Sequence, residues 1–408
     1  MENTEKATEL FSKKYQTYLI LLCFLVCVFV QLGRYSYSTN INLFIEKYGV
    51  TEKDAGIPST LFFITYAVGQ ILNAVFCSKY NKRLIVGLCL FFSGVINVIL
   101  CFNIPFVCIS WLWLINGLLQ STLWPLIILI LSQNIAKERL SSVAFLMSIA
   151  VSGGILLSYV ISAILSLTGS FFAICLLSGV VIIATAFVWF LTTNKKIERY
   201  NETSTTEKTA NKFDKRIITL IAVFAVFGMV STAISYGLRN WMPKILKDTY
   251  SLSDWLSIFL SVFLPLSSTI TAFISGVVYK RYKKFTLICG ALFAITGVFL
   301  VVITLILNVS WLPVLILLIL LSLSTGVVTN LMTVHVPLYF ENRFSSGFLA
   351  GLLNGFCFVG TAISTYCLGA ISTTTGSWTT IFVVFAVVCL LTVFVALIFS
   401  KLEKIKEN

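Results

Sequence analysis

The chain has 408 residues, 58% of them hydrophobic and only 11% charged, with a mean hydropathy of +0.97 and a formal charge of +13. That composition excludes a water-soluble domain, and the basic residues lie in short polar segments rather than on a surface suited to nucleic acid. A transmembrane helix needs about 20 consecutive apolar residues, so the chain reads as an all-α membrane protein embedded in the lipid bilayer.

The first 18 residues, MENTEKATELFSKKYQTY, are polar, and the apolar run after them is too long for a cleavable signal. Apolar segments follow near 18–42, 57–78, 84–103, 106–133, 140–166 and 170–192, then near 216–243, 255–279, 285–307, 311–338, 345–369 and 378–400. The stretch between the two sets is polar and lacks apolar periodicity, which predicts a flexible tether with some surface helix. The expected organisation is an N-terminal six-helix bundle over 1–192, a cytoplasmic linker over 193–215 and a C-terminal six-helix bundle over 216–408. The eleven cysteines are scattered through apolar segments without disulfide or zinc spacing. No nucleophile–base set stands out, so neither an enzyme nor a metal or other cofactor is expected.

Basic residues fix the expected orientation, because loops on the cytoplasmic side carry the excess of Lys and Arg. With the N-terminus inside, 23 of the 29 basic residues fall on the cytoplasmic side and only Lys47, Lys53, Lys244 and Lys247 on the other. Both termini are therefore expected in the cytoplasm, with the chain in a bacterial-type cell membrane. Arg34 and Arg239 are left over, one in each half, while all sixteen carboxylates fall in loops, tails or helix ends.

The halves repeat. SKYNKRLIVG (78–87) resembles YKRYKKFTLICG (279–290), and KERLSS (137–142) resembles ENRFSS (341–346) at an offset of 204 residues. A six-plus-six parallel repeat with short basic loops after the second and eighth helices resembles the major facilitator superfamily. That resemblance implies two six-helix repeats, with the first helices of the halves facing each other across a cavity. A single chain is the default unit of such an architecture.

An arginine at helix centre costs about 2.5–3.5 kcal/mol on insertion scales. Snorkelling to the interface is one account, and it suits Arg239, four residues before Pro243, better than Arg34. A binding site is the other. Gln31, Arg34 and Ser38 form one helical stripe, and Ser231, Ser235 and Arg239 form another. Guanidinium forks suit phosphate because they donate in parallel pairs, so the missing partner of Arg34 reads as a small anionic solute. Tyr66, Gln70 and Asn73 make a polar face on the second helix, and Asn116, Gln120 and Trp124 make one on the fourth. These, like Asn330 and Asn354, serve equally well as pore lining or interhelix packing. Gly153 and Gly154 read as close-approach residues, and His335 lies near the cytoplasmic end of the tenth helix.

GRYSYS, STLFFITYAVGQILNAVF (59–76), WLINGLLQSTLWP (113–125), KERLSSVAFLMSIAVSGGI (137–155) and GLRNWMPKIL (237–246) together resemble the organophosphate:phosphate antiporters. The resemblance implies exchange of a small organic phosphate for inorganic phosphate, with the two arginines in the site. Three positions depart from the family's pattern. Arg239 is only two residues before Trp241, which sets it about one turn further out, with Ser235 nearer the usual place; the first repeat pair, at an offset of 202 residues, maps Arg34 onto Tyr236. Ile149, Ala150 and Val151 stand where the family has a histidine. Ile127, Ile128 and Leu129 stand where it has a basic residue. A proton-coupled transporter of a sugar, organic anion or drug is the alternative, weakened by the missing intramembrane carboxylate. A transporter-like membrane sensor is another, and it would need a separate signalling chain.

Overall fold

A computed structural model describes residues 12–76, 81–193, 197, 215–282, 284–340, 343–344 and 346–403. Most of the expected linker lies outside these residues, as do Cys77 and Lys79. Twelve helices among the described residues are long and apolar enough to cross a membrane. They are α1 (Lys13–Thr39), α2 (Glu52–Phe76), α3 (Lys82–Ile99), α4 (Phe106–Asn134), α5 (Lys137–Ser166) and α6 (Phe172–Thr192) in the first half. In the second they are α7 (Lys215–Tyr250), α8 (Asp254–Ser261 and Phe263–Arg281), α9 (Phe285–Ile306), α10 (Trp311–Tyr339), α11 (Ser346–Thr375) and α12 (Thr379–Phe399). Both described chain ends lie on one face, called here the near face; the far face is opposite.

The helices differ from the apolar segments mainly at their ends. Helix α1 starts five residues before the apolar run because the Ser12 hydroxyl accepts a bond from the Tyr15 amide and caps its polar first turn. It stops at Asn40, whose side chain turns back to the Ser36 carbonyl, and a short helix, Ile41–Tyr48, follows. Helix α7 continues past Pro243 to Tyr250 rather than ending at the proline. Helix α10 carries a π-helical turn over Leu331–His335.

Helix α2 packs on α11 and α5 on α8, which joins the first six helices to the last six. Small residues also set distances between helices of one half. A side chain at Gly154 would place its Cβ 2.6 Å from the Val28 carbonyl oxygen, which fixes the approach of α5 to α1. Gly153 differs from expectation: a Cβ there meets nothing within 4 Å, so only one glycine of the pair makes a close approach.

Two junctions at the near face are tied by side chains on helix ends. Arg83, in the first turn of α3, donates to the carbonyls of Phe190 and Thr193 at the end of α6. Glu403, just past α12, accepts from the Phe285 and Thr286 amides that open α9. Each charge meets the orphan groups of the helix end it suits, cation to carbonyls and anion to amides.

Candidate functional site

Between the halves lies a cavity of about 350 Å³. Its wall includes Gln31 and Arg34 from α1, Tyr66 from α2, Trp124 from α4, and Ser235, Tyr236 and Arg239 from α7, with Asn354 and Phe358 from α11. Eight residues singled out from sequence, Gln31, Arg34, Tyr66, Trp124, Ser235, Tyr236, Arg239 and Asn354, thus share one space. No Asp or Glu is among the described residues that line it.

Arg34 sits in an aromatic box. Its guanidinium carbon lies 4.1 Å from the Tyr66 ring centre, 5.4 Å from Phe62 and 5.6 Å from Phe358. Ring faces attract a cation, more so when both are shielded from water, so the box compensates part of the penalty of burying the charge. Its Nε and Nη2 are nevertheless buried without a hydrogen-bond partner.

Arg239 lines the same cavity rather than a level further out, and it is only 2% exposed, so it does not snorkel. It lies 4.6 Å from the Tyr236 ring and shares a side-chain hydrogen bond with Tyr35 of α1. Tyr236 lines the same cavity and lies within electrostatic reach of both arginines.

Pro243 explains a second link. Proline has no amide hydrogen, so the carbonyl four residues earlier is left without its helical partner. That residue is Arg239, and its carbonyl accepts from the Tyr159 hydroxyl of α5 at 3.0 Å. Tyr35, Ile155, Tyr159, Ala163 and Ile258 then form a buried cluster across the halves. This cluster seals the far side of the cavity. Toward the near face the lining runs from Ile155 to Phe145 along α5, about 15 Å at the helical rise, and Phe145 is 67% exposed.

Ser38, Gln70, Asn116 and Gln120 lie outside this cavity. Ser38 is buried one turn beyond Arg34, past the level at which the tyrosine cluster closes the space. Gln70 donates to the Ser121 carbonyl at 3.0 Å and accepts from Asn354 at 3.2 Å, so it joins α4 and α11 instead. Asn116 accepts from Ser93 of α3 at 2.7 Å, and Gln120 donates to the same hydroxyl at 3.1 Å. Asn330 does line the cavity and donates to Thr271 at 3.0 Å. His335 sits outside the lining, stacked on Tyr279 at 4.6 Å. Ile149 and Val151 line the wall while Ala150 is buried in the core, so the wall is apolar there.

Sequence reasoning missed Tyr35, Tyr159 and Phe358. Tyr35 was within reach, as the immediate neighbour of Arg34. The other two carry no local signal, because their roles depend on contacts made across the halves.

At the far face a set of ion pairs bridges the halves. Lys244 lies 3.5 Å from Glu52 of α2 and 2.8 Å from Asp248 of its own helix. Lys247 contacts Glu46 of the short helix and lies 3.0 Å from Asp254. Each lysine thus holds one carboxylate from each half.

A sequence profile of the Major Facilitator Superfamily matches residues 23–363. Among curated proteins, the chain is 34% identical over 119 residues to sugar phosphate exchanger 3 of Xenopus laevis, covering 27% of this chain and 23% of that protein. It is 30% identical over 71 residues to the membrane sensor protein UhpC of Escherichia coli, covering 17% and 16%. The matched part therefore spans less than a quarter of the length of these relatives. Among solved structures, an inward-facing, occupied bacterial homologue of the human lysosomal transporter Spinster superposes with a TM-score of 0.78 at 12% identity, covering 97% of this chain and 100% of that one. The nucleoside transporter NupG superposes with a TM-score of 0.71 at 14% identity, covering 95% and 100%. These likenesses carry the fold.

Proposed function

Because the chain belongs to the Major Facilitator Superfamily, we propose that it is a secondary transporter of a small organic anion, an organic phosphate exchanged for inorganic phosphate. The observation that carries this reading is one cavity lined by two arginines and, among the described residues, by no carboxylate. Its volume, about 350 Å³, is at the small end of ligand sites. The partial likeness to sugar phosphate exchanger 3 supports the phosphate part.

The two six-helix halves rock about the cavity, and the near face, with both termini, is cytoplasmic. An anion favours a closed state only by binding it better than the open ones. A phosphate bridging Arg34 of the first half and Arg239 of the second does that, since it neutralises buried positive charge and draws the halves together. The empty carrier lacks this compensation and crosses slowly, which makes exchange the natural mode.

The test is uptake of radiolabelled phosphate by proteoliposomes preloaded with phosphate, organophosphates or carboxylates. Exchange that is lost in Arg34→Ala and Arg239→Ala supports the assignment, and the best internal counter-substrate names the class. Absence of phosphate exchange by folded protein sinks it. The partial likeness to UhpC, a membrane sensor, supports a second reading in which the chain binds the anion and signals without transporting it. Phosphate binding without exchange would select that reading.

A further inference from the structure

Beside Arg34, toward α4, lies another, much smaller cavity of about 30 Å³ that shares Gln31, Arg34, Tyr66, Trp124 and Val151 with the large one. Gln31, Arg34 and Gln120 line it, walled by Val30, Leu123 and Ile127. These three polar residues contribute four buried atoms that have no hydrogen-bond partner: Nε and Nη2 of Arg34, Oε1 of Gln31 and Oε1 of Gln120. The orientation of the Gln120 amide is set from its other end, because its Nε2 donates to Ser93 at 3.1 Å and to Asn116 at 3.3 Å.

Two orphan donors and two orphan acceptors on the three polar residues of one small space define the occupant by elimination. An anion would satisfy the guanidinium but face two amide oxygens. A cation would satisfy the oxygens but face a positive charge. An apolar group would satisfy none of the four. Water accepts two bonds and donates two, and a buried water needs two to four polar partners and room for about one probe sphere.

We propose that this cavity is a binding site for water, one or two molecules, bridging Nε and Nη2 of Arg34 to Gln31 and Gln120. The site holds the guanidinium by its Nε and Nη2 atoms, next to Tyr66, which lines both cavities. It also links Arg34 through Gln120 to Ser93, and so couples α1 to α4 and α3 without a direct side-chain contact. The inference does not depend on which solute is carried.

Radiolytic footprinting of the purified full chain, without any added substrate, tests it, because radicals formed from a bound water oxidise the side chains beside it. Leu123 and Ile127 line the small cavity but not the large one and are only 3% and 0% exposed. Leu126 and Ile130, both 0% exposed on the same helix and lining neither cavity, are the controls. Oxidation of Leu123 or Ile127 several-fold faster than the controls is expected. The excess should fall to the control rate in Gln120→Leu. If that variant misfolds because Ser93 and Asn116 lose the donor they share, Gln31→Leu removes the other acceptor and leaves the Ser93 bonds intact, with the same expected fall. Equal rates at all four positions in the wild-type chain overturn the proposal, as does an excess that survives both substitutions.

Discussion

Replacing Tyr159 by Phe removes one oxygen and nothing else, yet it should shift the balance between the two ends of the transport cycle. The Tyr159 hydroxyl is the donor to the Arg239 carbonyl that Pro243 leaves without a helical partner, and Tyr159 itself is 0% exposed. While the far face is closed, Tyr159→Phe leaves that carbonyl buried and unbonded; once the halves part, water can reach it. The penalty therefore falls on the closed far face alone. Interhelix hydrogen bonds in membrane proteins average about 0.6 kcal/mol, and an orphaned buried polar group costs about 1–3 kcal/mol. Roughly 1 kcal/mol is the working figure, or about fivefold in the population ratio. Spin-label distances between Asn103→Cys and Asn308→Cys, on far-face turns of opposite halves, read that population in a cysteine-free background. Tyr159→Phe should enrich the longer distance by about that factor. An unchanged distribution, or one shifted to shorter distances, refutes the reasoning.

The far-face ion pairs should matter no more, singly, than that one hydrogen bond. They are partly exposed, at 15–57% for the side chains involved, so each bridging pair is worth roughly 0.2–1 kcal/mol. Glu46→Gln with Glu52→Gln should raise the long-distance population by only about two- to thirtyfold in total, with the effect shrinking in high salt; the same spin labels check this. Lysine at position 34 keeps the charge but not the fork, so Arg34→Lys should raise the half-saturating phosphate concentration for exchange by roughly tenfold or more. Recovery of wild-type half-saturation by Lys would show that charge alone is read. Glu403→Ala strips the acceptor from the first amides of α9 and should lower stability by about 1–2 kcal/mol, seen as a lower thermal midpoint in detergent with exchange per folded molecule unchanged.

Hydropathy exposed twelve spans because each must be apolar over its membrane depth, whatever it packs against. Helix ends were less legible because caps such as Ser12 and detours such as the short helix Ile41–Tyr48 obey local hydrogen bonding. Pro243 illustrates the same limit. Read locally it ends a segment, but with Tyr159 available across the halves the helix runs on to Tyr250. The arginines stood out because an intramembrane charge is costly wherever it lies, and helical spacing was enough to attach Gln31 and Ser235 to them. Spacing could not say how far a stripe stays open, so Ser38 falls beyond the sealed end of the cavity. Nor could it separate pore from packing: Gln70 and Asn116 turn to other helices, while Trp124 and Asn354 face the cavity.

The central claim is that Arg34 and Arg239 together make one anion site. Equilibrium binding of radiolabelled inorganic phosphate to purified wild-type protein, Arg34→Ala and Arg239→Ala tests it most directly, because it requires no transport. Saturable binding by the wild type that is lost in each variant is the predicted result. Equal phosphate affinity in all three folded proteins would contradict it.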